Sequence, residues 1–191
     1  MKNLLLSIFV ALVISSSAFA QSEHLAFKGI PIDGTLEEYV ANLKSVQFRV
    51  SELKKDEARL IGNFAGYKDC TVTVSSIMPR NLVNEITVCF PYVYQWSTLI
   101  DNYNELKQML TQKYDKPLQQ TFDLSYYDLL GDSSKFRALS DGEIIIRCSF
   151  VTSKGTIQMW IEGFRRSAAI KIKYTDKVNT ETVKADAYND L

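Results

Sequence analysis

Apolar and polar side chains alternate almost perfectly along "GTIQMWIEGF" (155–164), and the same alternation runs through "DCTVTVSSIM" (69–78). Period two predicts β-strands with one apolar face. Followed along the chain, it predicts seven strands: Val46–Val50, Leu60–Phe64, Cys70–Ser76, Val83–Phe90, Ile144–Val151, Thr156–Glu162 and Ala168–Thr175. Two other stretches repeat at three and four residues. In "DGTLEEYVANLKS" a Thr35-x-x-Glu38 capping box precedes Leu36, Tyr39, Val40 and Leu43. In "QWSTLIDNYNELKQMLTQKYDKP" the apolar set is Trp96, Leu99, Tyr103, Leu106 and Leu110. Ser97 or Thr98 is placed to cap the start, and Pro117 stops the end. Helices are therefore expected at 35–44 and 98–113.

The order of these elements repeats. "NFAGYKDCTVTVSS...NEITVCF" and "SFVTSKGTIQMWIE...AAIKIKY" both read phenylalanine, turn, strand, turn, strand, each after a helix. One apolar face comprises Val72, Val74, Ile86, Val88 and Phe90. The other comprises Ile146, Phe150, Ile157, Met159, Ile161, Ile170, Ile172 and Tyr174. One helix covers only part of such a face, so joining the two copies edge to edge makes one core from two partial ones. The expectation is a single α+β domain of two layers, a duplicated helix-plus-antiparallel-strands unit with about seven strands and two helices packed on one face. The first unit spans about 33–90 and the second about 94–175. A connector at 118–142 is long enough to be functional or to hold short helices of its own. After it the chain ends in a polar tail, 176–191, read as loose or briefly helical.

The N-terminus changes the picture of where such a domain works. Lys2 precedes an apolar run, Leu4–Ile14, and "SSSAFA" ends in Ala18-Phe19-Ala20. This is the pattern of a cleaved export signal. As a helix the run covers about 16 Å, short of a bilayer core of roughly 30 Å. The expected product starts at Gln21, has no membrane span, and resides in the periplasm or outside the cell. Its charge is balanced, with 22 basic and 22 acidic residues in the whole chain. This gives no electrostatic reason to expect nucleic acid as a partner. Of the three cysteines, Cys70 shares a strand face with Val72 and Val74, whereas Cys89 is out of phase with Val88 and Phe90. Those two fall on opposite faces of a hairpin, beyond disulfide reach. All three, with Cys148, read as small strand residues.

"HLAFKGIPIDGTLEEYVANL" (24–43), "GNFAGYKDCTVTV" (62–74) and "KYDKP" (113–117) resemble a group of small exported proteins of gut Bacteroidetes without an assigned activity. The shared features are structural ones: a cap, a turn, a helix stop. The resemblance therefore implies a fold and carries over no site residues. In that pattern glycine more usually stands where this chain has Asp115, a position suited to a left-handed helix end. The layout is also similar to that of the secreted beta-lactamase inhibitor protein, an analogy of fold alone.

Catalytic chemistry is thinly represented. His24 is the single histidine, near the expected mature terminus, where it reads as a solvated side chain. Triad hydrolases need an imidazole beside the nucleophile, and common zinc sites need histidine or clustered cysteine. No phosphate-binding glycine loop is present. No catalytic, metal-binding or cofactor-binding residue is therefore assigned. Paired carboxylates among Asp123, Asp128, Asp132, Asp141 and Glu143 leave one enzymatic alternative, a glycan hydrolase of the cell envelope. The stronger signal is a surface. Trp160 is out of phase with Ile157, Met159 and Ile161, so it points away from the core. Regular pairing sets Arg147 opposite it, within cation–π reach, with Lys171, Lys173 and Arg165 on the same side. Tryptophan framed by arginine and lysine is hot-spot composition. The sequence thus points to a non-catalytic binding or inhibitor-like module whose outer sheet face meets another protein or a glycan.

Overall fold

The computed structural model describes residues 23–122 and 129–189. Ten strands and four helices lie within them. A small hairpin, β1 (Ala26–Phe27) and β2 (Ile30–Pro31), comes first. Then follow α1 (Leu36–Ser45), β3 (Arg49–Leu53), β4 (Glu57–Phe64), β5 (Tyr67–Ile77) and β6 (Leu82–Cys89). After these come α2 (Trp96–Tyr114), β7 (Gln119–Phe122), α3 (Asp132–Ser140), β8 (Ile146–Thr152), β9 (Gly155–Phe164), β10 (Ser167–Asp176) and α4 (Lys177–Asn189). Strands β3 to β10 form one antiparallel sheet in the order β3-β4-β5-β6-β10-β9-β8-β7. The chain is thus a sheet-rich α+β fold.

Alternation organises this sheet. Leu60 pairs with Val72, Val72 with Val88, Val88 with Ile172, Ile172 with Met159, and Met159 with Cys148. All six are buried, so one apolar row crosses six strands. The neighbouring row runs Ile61, Thr71, Cys89, Lys171, Trp160, Arg147 and Thr121 on the opposite face. Leu36, Tyr39, Val40 and Leu43 of α1 and Leu99, Tyr103, Leu106 and Leu110 of α2 join the buried row in one hydrophobic cluster. The two helices contact different strands: α1 meets β3 to β6, and α2 meets β8 and β10.

Both expected helices form. The Thr35 side chain accepts from the Glu38 N–H at 3.3 Å, and the Glu38 carboxylate accepts from the Thr35 N–H at 2.9 Å, completing the capping box. For α2 the expected cap is corrected. Gln95 occupies the N-cap position without a side-chain cap bond, and neither Ser97 nor Thr98 fills that role. Instead Asp132, at the start of α3, accepts from the Trp96 N–H at 2.9 Å. A carboxylate beside a helix N-terminus satisfies an orphan donor and opposes the helix dipole.

Three expectations change at the level of elements, and the open reading of the tail is decided. The main sheet has eight strands rather than seven, because the connector contributes β7 and also forms α3. The first strand of the sheet begins at Arg49, not Val46, since Val46 is the C-cap of α1 and Gln47 turns with φ 71°. Of the two readings of the polar tail, the helical one holds: α4 follows β10 directly. The total of two helices becomes four among the described residues.

His24 corrects a fourth expectation. It is not a solvated terminal side chain: its Nδ1 lies 3.1 Å from Asp176 Oδ2, and Nε2 lies 3.5 Å from Asp33 Oδ2. Asp176 is fully buried. It also accepts from the Leu25 N–H at 2.7 Å and from the Asn179 N–H at 2.9 Å, which caps the first turn of α4. Asn179 in turn donates to the Val83 carbonyl at 2.8 Å and to Asp33 at 3.1 Å. Partial burial pushes the Asp33 carboxyl up, yet the bonds from Asn179 and the Gly34 N–H, with His24 nearby, outweigh it and hold the group below its ordinary value. This network ties the start of the described chain to β6, β10 and α4. Asp176→Ala strands several buried donors, so urea unfolding should show about 3 kcal/mol lost at unchanged m-value. Asp176→Asn keeps one acceptor oxygen and should lose less.

Asp115 ends α2 with φ 66° and ψ −168°. That backbone region belongs almost wholly to glycine and costs other residues about 1–3 kcal/mol. Asp115→Gly should therefore stabilise the fold by about 1 kcal/mol, read as a thermal midpoint roughly 2–4 °C higher.

Candidate functional site

The outer face of the sheet takes its character from side chains that alternation turns away from the core. Ile157, Met159 and Ile161 are 0%, 0% and 5% exposed, while Trp160 between them is partly exposed on the opposite side. Arg147 is its register partner on β8 and Lys171 its partner on β10, so these three residues stand in one row. Lys173 lies one outward position along β10 from Lys171, opposite Gln158. Four of the five expected site residues thus share one face. The fifth, Arg165, lies exposed in the turn between β9 and β10.

This face holds a concavity of about 590 Å³, lined by residues of β7, β8 and β9, of the α3–β8 loop, and by Lys173. The volume is that of a small-ligand pocket or a seat for several partner side chains. Among its outward-facing linings are Gln119 and Thr121 of β7, Arg147 and Ser149 of β8, and Gln158 and Trp160 of β9. Lys171 and Arg165 lie outside it. Amides, hydroxyls, the Arg147 guanidinium, the Lys173 ammonium and the Glu162 carboxylate thus surround one indole. Gln119 and Thr121 come from the strand hidden in the connector. Gln158 was visible in the alternation of 156–162, but carries no charge to draw notice.

The charges on this face are unevenly matched. Lys171 pairs with Glu162 at 2.5 Å, and Lys173 with Glu85 at 3.3 Å. Arg147 is exposed and makes no ion pair among the described residues. The expected stacking of Arg147 on Trp160 is corrected. The cation–π contacts among the described residues are Lys113 on Tyr114 and Lys135 on Trp96. Register places Arg147 beside the indole, but its long side chain is not laid over the ring. Farther along the same side of β9, Phe164 packs edge-on to Tyr92 with ring centroids 4.9 Å apart; they are 38% and 50% exposed.

The other candidates fall elsewhere. Asp132 caps α2, while Asp141 and Glu143 are exposed around the α3–β8 loop. Asp123 and Asp128 lie outside the described residues. Burial pushes the Cys70 thiol up to about 11, and burial also raises Cys89 and Cys148, against the lowering influence of nearby Lys171 and Tyr103 respectively. Such thiols are poor nucleophiles. All three are free, with Cys70 facing the core and Cys89 the outer face, as their parity predicts. Among the described residues no group of three or more histidine, cysteine, aspartate or glutamate side chains is placed to hold a metal ion, and no helix is long and apolar enough to cross a membrane.

No protein-family model matches the chain, and neither a curated protein nor a solved structure matches it significantly. The reading of the site therefore rests on its geometry.

One wall of the concavity depends on a close approach. A Cβ on Gly163 would meet the Ser140 N at 2.5 Å and the Leu139 carbonyl carbon at 2.7 Å, so the end of α3 lies directly on the β9 backbone. Gly163→Ala should shift that wall at a cost of about 1–3 kcal/mol in urea unfolding. With Trp96 replaced by phenylalanine, the same change should increase acrylamide quenching of Trp160.

Proposed function

We propose that the protein is an exported, non-catalytic binding module that captures another protein on its outer sheet face, around Trp160. Support for export comes from the apolar run Leu4–Ile14 and the Ala18-Phe19-Ala20 site, which would release a chain starting at Gln21 into the periplasm or beyond. Those residues lie outside the described ones. In this reading the scaffold is a duplicated unit with its helices layered on one side of the sheet, leaving the other side for the partner. The strand order supports it. Each run of four strands follows a helix, and the last strands of the two runs, β6 and β10, are neighbours. An inhibitor-like role fits the same arrangement, since a partner seated in a concave face has its own surface covered.

The observation that carries the proposal is a partly exposed tryptophan in a concavity beside an exposed arginine that makes no ion pair among the described residues. Tryptophan, tyrosine and arginine dominate the energetic centres of protein interfaces. Arg147 selects for a carboxylate on the partner, and the Tyr92–Phe164 pair extends the aromatic surface beyond the concavity. A photo-crosslinking side chain at Gln158 should trap one discrete protein in intact cells. Trp160→Ala and Arg147→Ala should each weaken the purified pair at least about tenfold, near 1.4 kcal/mol, with unchanged circular dichroism and thermal midpoint. Affinity that survives both changes would overturn the assignment of this surface. So would a glycan-array signal that depends on Trp160 in the absence of any crosslinked protein.

A further inference from the structure

The charged side chains that line the concavity are Arg147, Glu162 and Lys173. Two of them are already matched by neighbours, Glu162 by Lys171 and Lys173 by Glu85. Arg147 is exposed and makes no ion pair among the described residues, so the charge left uncompensated there is positive. A guanidinium held open in this way favours a planar anion that accepts two bonds side by side, and a carboxylate has that geometry.

The lining also has a direction. Along β9 the outward positions run Gln158, Trp160, Glu162, and Gly163 then meets the backbone of Leu139 and Ser140 at the end of α3. Gly142, Ile144 and Ile145 of the following loop line the same end, so the concavity is walled beyond Trp160 and Arg147. One outward row back, Gln158, Ser149 and Gln119 lie side by side on β9, β8 and β7. Beyond that row the next paired outward positions, Thr156 and Val151, lie outside the concavity. The row of Gln158 is about 7 Å from the row of Trp160, the length of two residues of extended chain. Its two amides and its hydroxyl both donate and accept, as pairing with the main chain of a peptide requires.

We infer that the concavity receives the C-terminal end of the partner's chain, with the terminal carboxylate on Arg147 and an apolar last side chain between Trp160 and Ile145. This rests on the reading of the outer face as a protein-binding surface, and it names the part of the partner that docks. An extended chain that enters over Gln158, Ser149 and Gln119 has its main chain bonded there. It reaches Arg147 two residues later, where the wall at the end of α3 requires it to stop. A chain that offered a side-chain carboxylate at Arg147 would have to continue into that wall. Ile145, 48% exposed, and the partly exposed Trp160 give the closed end its apolar surface.

The test uses the whole chain after leader removal and a displayed library of random decapeptides with free C termini. Selected sequences should share an apolar last residue. Resynthesised with a C-terminal amide, the best of them should bind about tenfold more weakly or worse, read by anisotropy of a labelled peptide. Arg147→Gln should abolish that difference between acid and amide, whereas Trp160→Ala should weaken both forms. Equal affinity of acid and amide for the unchanged protein would overturn the inference. So would selection for an internal aspartate or glutamate at no fixed distance from the terminus. If the photo-crosslinking side chain at Gln158 traps a protein but no free-ended peptide binds, the terminus assignment falls and the binding surface stands. If neither is seen, both fall.

Discussion

The structure depends on two alternating patterns staying in phase where β6 meets β10. Val88 opposite Ile172 joins the apolar row of β4, β5 and β6 to that of β10, β9 and β8. Each fully buried aliphatic side chain in such a row contributes about 1.5–3 kcal/mol. A slip of one residue at this ladder would turn the whole apolar set of one half toward water. The register breaks of the sheet lie between β3 and β4, β4 and β5, and β5 and β6. None occurs from β6 through β10, β9 and β8 to β7. The regular half of the sheet is also the half that carries Trp160 and its neighbours. Pairing that is fixed for the sake of the core also fixes the outer side chains, so the concavity inherits the rigidity of the sheet.

Polar closure is the second determinant. A carboxylate as deeply buried as Asp176 is tolerated because several donors converge on it. Those donors come from the first described residues and from α4, which follows β10 directly. The network thus fastens the chain's two described ends to the same place, beside β6. Asp176 shares the inward parity of Ile172 and Tyr174, while the concavity opens on the opposite face of the sheet, so the outer face can vary in chemistry without disturbing the fastening.

How much of this was legible in the sequence depended on the range of each interaction. Thr35 and Glu38 are three residues apart, and their box reads directly from the chain. Parity along a strand likewise separates Cys70 from Val88's outward neighbour Cys89, and Trp160 from Met159. The strand β7 escaped notice because "QQTF" has one apolar residue in four, and an edge strand need not bury a face. Asp132 and Trp96 are 36 residues apart, and His24 and Asp176 are 152 apart. No local pattern marks such partners. Helix α4 begins on a cap supplied by the strand before it, and its own amphipathic signal is weak. The face bearing Trp160, Arg147, Lys171 and Lys173 was legible as a row of outward positions. The concavity was not, because two of its walls come from the connector.

The position of β10 has a temporal consequence. Among the described strands this is the last to be made, yet it belongs in the middle of the sheet. Until it arrives, β6 and β9 each present an unpaired flank with an apolar side already formed, and neither half can complete its interior. A nascent chain of this protein is therefore exposed to wrong partners until β10 has been made. That exposure ends in a single step, when β10 is delivered between β6 and β9.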